Sequence, residues 1–211
     1  MTPVIALLNS HRSIRRYSST PIEEDLLQAI VGAGQAAATS SFLQGCTVIR
    51  VRSPERRQQL AALAGNQAHV QSAAEFLVLC ADLKRAANAC EQQHMVFAGD
   101  WTEHFIIATV DVALMAQNMV VAAESAGLGI CYIGGLRNQP REVSDLLQLP
   151  LGVYPVFGLC LGYPDQNPEC KPRLPLDVVL KDEVYSEQGD AERIALYDAQ
   201  VRVEMSVIAA L

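Results

Sequence analysis

The stretch from Asp100 to Gly127 constrains the fold more than any other part of this sequence. Its core, FIIATVDVALMAQNMVVAAESAG, has helical periodicity and is apolar on nearly every side. A helix of about 25 residues with that composition suits either a membrane span or the centre of a folded domain. Four polar residues interrupt the apolar run: Asp111, Gln117, Asn118 and Glu124. The interruptions favour a helix that is buried in the domain or at a subunit interface.

The rest of the sequence predicts one α+β domain that spans residues 1–211. Apolar or alternating stretches predict strands at 46–52, 75–83, 128–135 and 154–162. Proline, cap residues and apolar periodicity predict helices at 3–10, from 21 to about 35, and at 54–65, 100–127, 139–149 and from 191 onward. Residues 84–99 are predicted to be irregular and 163–175 extended, and 176–185 is predicted as a further strand or part of an arm over about residues 168–186.

Two of the predicted helix starts depend on capping boxes. Thr20 and Glu23 have the required spacing, with proline between them at the first helical position, and Asp100 and Glu103 repeat the pattern. We therefore expect side-chain caps at both places.

Charge and cysteine content limit the partners and the compartment. The chain carries a formal net charge of −7, which argues against nucleic acid or an anionic membrane as the main partner. Its six cysteines have no regular spacing and several lie in apolar runs, which is typical of a reducing compartment. No signal peptide is evident, so we expect a cytoplasmic protein.

A basic segment stands out against this acidic background. Residues 11–17 read HRSIRRY, so one histidine and three arginines fall within six residues. The planar guanidinium group suits phosphate, and the segment is either an anion site or a solvated basic turn. The sequence Gly32-Ala33-Gly34-Gln35-Ala36-Ala37 matches the dinucleotide fingerprint but follows a helix rather than a strand, so we interpret it as a helix end.

Other loop segments supply groups that would complete a phosphate or cofactor site. Neutral hydrogen-bonding groups occur at Thr39, Ser40, Ser41 and Gln67, and Lys171 and Arg173 offer further positive charge. Gly134 and Gly135 have no side chains, so backbone N–H groups there can approach a flat ring closely. Each segment alone is a weak signal.

The sequence closely resembles the nitroreductase superfamily in segments that occur in the family's order: HRSIRRY, TSSFLQ, AAESAGLGICYIGGLRN, FGLCLGYP and NPECKPRLP. It is most similar to the branch of oxygen-insensitive NADPH nitroreductases and flavin reductases. The resemblance implies a central, mainly antiparallel sheet flanked by helices in an intertwined homodimer. It also implies an FMN enzyme that transfers hydride from NADPH or NADH to small-molecule electron acceptors, such as nitroaromatics or quinones, by ping-pong turnover. A flavin reductase that supplies free reduced flavin and a non-catalytic FMN-binding or sensing protein are the alternatives.

The resemblance also implies which residues hold FMN. Its phosphate and ring edge would contact two basic segments: His11, Arg12, Ser13, Ile14 and Arg15, and Lys171, Pro172 and Arg173. Thr39, Ser40 and Ser41 would reach FMN from the partner subunit, and Gln67 would contact the ring or the ribityl chain. Tyr132, Ile133, Gly134 and Gly135 would lie along the ring, with a backbone N–H near N5. Leu174 to Tyr185 would form an arm that crosses to the partner's sheet.

The residues themselves predict neither a catalytic side chain nor a metal site. No nucleophile–base pair, metal cluster or pair of carboxylates is evident, and the four histidines are isolated in sequence. If FMN carries the chemistry, none of these is needed. In the branch that this sequence resembles, a basic segment after the last helix grips the 2′-phosphate of NADPH. Arg202 is the last basic residue here, so the choice between NADPH and NADH stays open.

Overall fold

The computed structural model describes the backbone of residues 1–209 and the side chains of residues 1–202. The chain divides into two compact units, Met1–Pro168 and Glu169–Leu211. The helices of the first unit are α1 (Pro3–Asn9), α2 (Glu24–Gln35), α3 (Pro54–Leu63), α4 (His69–Ser72), α5 (Lys84–Gln92), α6 (Thr102–Ser125) and α7 (Pro140–Leu147). Its strands are β1 (Cys46–Arg50), β2 (Glu75–Asp82), β3 (Gly129–Ile133) and β4 (Val153–Gly162).

The strands form an antiparallel sheet in the order β1-β2-β4-β3. Strand β2 lies inside the sheet, and all its residues are buried. Its side chains alternate between two cores because successive residues of a strand point to opposite faces. Leu77, Leu79 and Ala81 pack with α2 and α6, whereas Phe76, Val78 and Cys80 pack with α3 and α7. Burial on both faces explains why the sequence of β2 is continuously apolar, and the predicted α+β fold with an antiparallel sheet is confirmed.

Helix α6 lies across the first of these cores. Ala108, Val112 and Ala116 are buried on its inner face, while Ile106 and Val110 on its outer face are each 48% exposed. By length and composition alone α6 is suited to cross a membrane, but a core helix passes the same test, and its inner face packs on the sheet. The predicted burial of this helix is therefore confirmed for one face only.

Both predicted capping boxes are wrong. Helix α2 begins at Glu24, with Glu23 in extended backbone and without a side-chain cap. The residues before it stay extended, and Ile22 packs into the core from there. Helix α6 begins at Thr102 after Trp101, again without a side-chain cap.

Two further segments differ from the prediction. Residues 84–92 are the helix α5 rather than an irregular stretch, because Asp82 at the end of β2 accepts the N–H groups of Lys84 (3.0 Å) and Arg85 (3.3 Å) with its Oδ1. The predicted strand at 176–185 is also wrong. Leu176–Val179 form the short helix α8, and the described part of this stretch contains no strand.

The second unit, Glu169–Leu211, begins with an extended segment and ends in α9 (Asp190–Ala209). Two ion pairs connect its helices. Lys181 Nζ lies 2.6 Å from Asp190 Oδ1, and Arg193 Nε lies 3.0 Å from Asp177 Oδ2. Apolar side chains of α8 and the following loop remain exposed, among them Leu176, Val179, Leu180 and Tyr185.

Candidate functional site

The basic segment at residues 11–16 runs alongside strand β3. Ser13 forms a parallel bridge with Ile130, and the Ile14 N–H donates to Ile130 O at 2.8 Å. Ile14 is buried against Gly129, where an added Cβ would lie 2.6 Å from Ile14 Cγ1. Any side chain at residue 129 would therefore force the segment away from the strand.

Three arginines project from this docked segment, and none forms an ion pair with another described side chain. Arg12 Nη1 donates to Pro168 O at 3.3 Å, and Arg16 Nη2 donates to Asp165 O at 3.1 Å. Arg15 is exposed. Their charges are not neutralised by carboxylates, so the segment is suited to bind an anion.

His11 has a different partner. Its Nδ1 lies 2.6 Å from Glu124 Oε1, close to the end of α6, and both side chains are mostly buried. The contact fixes the start of the basic segment against α6. Since Nδ1 is engaged, Nε2 is the ring nitrogen that remains for a ligand.

Arg15 lies beside a small cluster of buried polar groups at the same edge of the sheet. Cys131 Sγ of β3 lies 3.7 Å from His69 Nε2. Burial raises the pKa of the Cys131 thiol, and the Arg15 guanidinium opposes that shift. Burial lowers the pKa of His69, and the positive charge of Arg15 adds to the effect. Both groups therefore remain uncharged at neutral pH.

Strand β3 ends in a glycine turn that packs on the end of α3. Gly134–Asn138 form a 3₁₀ helix, and Gly135 touches the loop after α3. A Cβ at Gly135 would overlap Ala64 O and lie 2.9 Å from Gln67 Nε2. The Gln67 amide donates to Ala64 O at 2.8 Å, so the glycine turn and Gln67 are brought together.

The side chain of Tyr132 contacts residues of α6 and β4. Its hydroxyl is 3.4 Å from Gln117 Oε1 of α6, and its ring meets the Phe157 ring edge-on at 5.0 Å. Burial, and next the negative charge of Glu124, raise the pKa of Tyr132 to about 12. Its backbone, rather than its hydroxyl, is therefore the part that continues into the glycine turn.

The predicted hydroxyl cluster lies in a loop that leads from α2 to β1. Ser40–Phe42 form a 3₁₀ turn, and the loop is held by Asp111 of α6, which accepts from the Thr39 hydroxyl and from the Ser40 N–H. The Thr39 proton is thus engaged within the loop. The hydroxyls of Ser40 and Ser41 remain for a ligand.

The second basic segment, Lys171 to Arg173, belongs to the second unit. Lys171 and Arg173 are exposed, and Arg173 Nη1 donates to Lys171 O at 3.5 Å. Within this unit, neither side chain forms an ion pair among the described residues.

Sequence reasoning missed the supporting residues of the first unit: Asp111, Glu124, His69 and Cys131. Asp111 and Glu124 were visible only as interruptions in an apolar helix. Such interruptions signal a hydrogen-bonded role when they fall on the buried face. Nothing in the sequence indicated that His69 and Cys131 lie together.

A scan against family models supplies independent information on these residues. The model described as "Nitroreductase family" matches residues 8–163, which include the first basic segment, the hydroxyl loop, Gln67 and the glycine turn. The chain belongs to the nitroreductase family.

Individual relatives support this membership. The chain is 49% identical over 187 residues to the "NADPH-flavin oxidoreductase" of Vibrio harveyi, covering 89% of this chain and 76% of that protein. It is 43% identical over 201 residues to the "Oxygen-insensitive NADPH nitroreductase" of Salmonella typhimurium, covering 95% and 82%. Among solved structures, the NADPH:FMN oxidoreductase from Vibrio harveyi complexed with NAD⁺ superimposes with a TM-score of 0.92 at 46% identity, covering 97% of this chain and 87% of that one. The nitroreductase-like fold predicted from the sequence is therefore confirmed.

Proposed function

We propose that this protein is an FMN-dependent oxidoreductase that takes hydride from NADPH or NADH and reduces nitroaromatics, quinones or related small molecules. One observation carries the proposal: three arginines that have no ion-pair partner among the described side chains lie beside β3, whose end is a glycine turn in contact with Gln67. The relatives that are named flavin oxidoreductase, nitroreductase and FMN oxidoreductase support it.

The donor set of the first unit fits the chemistry of FMN. A phosphate needs cationic donors, which Arg12 and Arg15 offer, and His11 Nε2 adds a further polar atom. One N–H of the Gln67 amide donates to Ala64 O, so its other N–H and its carbonyl oxygen remain for a ring edge or a ribityl hydroxyl. No group of three metal-ligating side chains occurs among the described residues, so the donor set suits an organic cofactor better than a metal ion.

The residues that would hold FMN are those that the family resemblance implies. In the first unit they are His11, Arg12, Ser13, Ile14, Arg15, Thr39, Ser40, Ser41, Gln67, Tyr132, Ile133, Gly134 and Gly135. In the second unit they are Lys171, Pro172 and Arg173. Bound FMN would supply the hydride chemistry, accepting two electrons from a nicotinamide and giving them to the acceptor. The side chains would bind and orient the cofactor, and backbone N–H groups of the glycine turn would face the ring.

We propose that the functional form is a homodimer. The outer face of α6 exposes Ile106, Val110 and Leu114 in one stripe, which is larger than isolated exposed apolar residues would explain. In the same proposal, Ser40 and Ser41 reach the partner's FMN, and the second unit forms an arm that crosses to the partner. We also propose that residues 1–211 form a single functional domain and that the protein is cytoplasmic.

Absorbance and mass spectra of the purified protein test cofactor binding. We expect a yellow protein that releases FMN on denaturation and is re-formed by added FMN. A colourless protein that does not bind added FMN would contradict the proposal.

Steady-state kinetics test the activity. Oxidation of NADPH and of NADH is followed with a nitroaromatic, a quinone or free FMN as acceptor, and double-reciprocal plots should be parallel for ping-pong turnover. Preferential reduction of free FMN would identify a flavin reductase. An FMN-loaded dimer that oxidises neither nicotinamide would identify a binding or sensing protein.

A further inference from the structure

A buried carboxylate of α6 holds the hydroxyl loop. Asp111 is 2% exposed, and its two oxygens have separate partners in the loop. Oδ2 accepts from the Thr39 hydroxyl, and Oδ1 accepts from the Ser40 N–H at 3.0 Å. The Thr39 hydroxyl oxygen in turn accepts the Gln44 N–H at 2.9 Å. One side chain therefore connects the start of the loop to α6 and, through Thr39, to the end of the loop.

The backbone of this loop requires such support. Ser41, Phe42 and Gln44 have φ values of 48°, 56° and 53°. These values lie in the left-handed region, which is unfavourable for residues with a Cβ. Strained conformations of this kind persist only where surrounding contacts determine them, and they cluster at ligand sites. In this loop, the hydrogen bonds to the Asp111 side chain hold the first two residues, Thr39 and Ser40.

The charge of Asp111 has no cationic partner among the described side chains within ion-pair distance. A buried carboxylate is costly unless hydrogen bonds satisfy it, and both oxygens here are satisfied by the loop. An apolar residue would fit the neighbouring core more favourably than an aspartate. The role of Asp111 therefore lies in its hydrogen bonds to the loop. The hydroxyl loop and Asp111 form one unit.

The loop lines the wall of a cavity of about 630 Å³, together with Arg85 and Asp111. Within the loop, Ser41 and Phe42 are exposed. The contacts from Asp111 to Thr39 and Ser40 thus determine where the Ser40 and Ser41 hydroxyls are presented.

We propose that Asp111 is a positioning residue for FMN binding. It holds the Thr39–Gln44 loop in its strained conformation, so that Ser40 and Ser41 are presented to the FMN of the partner subunit. This proposal rests on the proposed function, because it takes the loop as an FMN contact. Asp111 itself does not touch the cofactor.

The test compares substitutions at both ends of the contact in the full-length dimer. In Asp111→Asn an amide nitrogen replaces the Oδ2 acceptor, so the charged bond from the Thr39 hydroxyl is replaced by a weaker, neutral bond of reversed direction. Thr39→Val removes the hydroxyl while keeping the shape, and Thr39→Ser keeps the hydroxyl. Tyr154→Phe is the control, because it removes a hydroxyl pair with Thr109 (2.7 Å) on the same helix without touching the loop.

Three readouts are measured: FMN affinity by flavin fluorescence quenching, hydrogen exchange of the peptide spanning residues 38–45, and thermal stability. We expect Asp111→Asn and Thr39→Val to weaken FMN binding about tenfold and to accelerate exchange in the loop. Thr39→Ser, which keeps the hydroxyl, should bind FMN more tightly than Thr39→Val, and Tyr154→Phe should retain wild-type affinity. The double variant Asp111→Asn/Thr39→Val should bind FMN no more weakly than the worse single variant, because both changes break the same contact.

Several results would overturn the proposal. Unchanged FMN affinity in both Asp111→Asn and Thr39→Val, despite faster loop exchange, would mean that the loop conformation does not matter for binding. Affinity losses that follow the thermal stability of all variants, Tyr154→Phe included, would assign Asp111 a structural role only. If Asp111→Asn does not fold, the comparison of Thr39→Val with Thr39→Ser alone tests the proposal. Wild-type protein that binds no FMN would contradict the proposed function itself, and this proposal with it.

Discussion

Arg15 differs from the other two arginines of the basic segment. Arg12 and Arg16 each donate to a backbone carbonyl of residues 165–168, whereas Arg15 lies beside Cys131 in the middle of β3 and beside His69. Because Arg15 is exposed and forms no ion pair with another described side chain, we propose that it contacts the phosphate of FMN.

Replacing this side chain tests its role. A hydrogen bond between arginine and phosphate involves charge and contributes roughly 1.5–3 kcal/mol, so Arg15→Ala should weaken FMN binding about tenfold or more. Titration with FMN measures the change. Arg16→Ala is the matched control, because it removes the same charge from the same segment at a residue outside the proposed site. Equal losses in the two variants would indicate a general charge effect instead of a contact from Arg15.

His69 makes stability depend on pH. Its pKa is lowered by burial and by Arg15, so the folded state favours the neutral imidazole. The resulting stabilisation is complete above the ordinary histidine pKa of about 6.5 and is lost as the pH falls below it toward the lowered folded value. Between about pH 7.5 and about pH 5.5, the urea midpoint of the wild type should therefore decrease more than that of His69→Asn. Parallel decreases in the two proteins would show that other groups cause the pH dependence.

At the scale of residues, the sequence indicated candidate ligand-binding segments but not the residues that support them. Arginine clusters, consecutive hydroxyls and paired glycines are unusual in sequence, so the segments around Arg12, Ser40 and Gly134 were identified without a structure. The partners Asp111 and Glu124 lie over seventy residues from Thr39 and over a hundred from His11, respectively. Pairings over such distances depend on the completed fold, and one sequence does not contain them.

Helix α3 is connected to the sheet by a single buried arginine. Arg57 is 9% exposed and donates to Val51 O at 2.8 Å, Ala73 O at 2.6 Å and Ala74 O at 3.2 Å. It thereby satisfies carbonyl groups just after β1 and just before β2. Burial lowers the pKa of Arg57, and the negative charge of Glu75 opposes that shift.

Replacing Arg57 with the shorter lysine tests the contribution of these three hydrogen bonds. Arg57→Lys retains the charge but cannot reach all three carbonyls, so the free energy of unfolding should fall by about 3 kcal/mol. Urea denaturation measures the loss. Arg56→Lys, at the neighbouring exposed position, should change stability by less than about 0.5 kcal/mol. A similar small change in Arg57→Lys would mean that water or a shifted lysine satisfies these carbonyls.

At the scale of elements, strongly patterned segments were predicted well. Strands β2 and β4 and helix α6 have long apolar runs, and their predicted and observed bounds agree within a few residues. Errors occurred where a tertiary contact overrides local preference. The burial of Ile22 keeps residues before α2 extended despite a capping sequence, and Asp82 starts α5 from the end of a strand.

For the whole molecule, the second unit is the part whose role depends most on assembly. It carries Lys171 and Arg173, which the family resemblance implies as FMN contacts, and it exposes apolar residues on and after α8. In the proposed homodimer these residues would be covered by the partner subunit.

Truncation tests this arrangement. Deletion of residues 174–211 should produce monomers or insoluble protein, because the apolar surfaces that the arm covers would be left in water. Size-exclusion chromatography with light scattering measures the mass against that of the full chain. A soluble dimer of the truncated protein would contradict a crossing arm.

The docking of residues 13 and 14 on Ile130 has a consequence for biosynthesis. The basic segment leaves the ribosome well before β3, and about ten seconds pass between them at synthesis rates of about 5–20 residues per second. During that interval the segment has no strand to pair with, and Gln67 has no glycine turn to contact. The proposed site is therefore completed only after β3 and its neighbour β4 have emerged from the ribosome, so FMN can bind there only after that point.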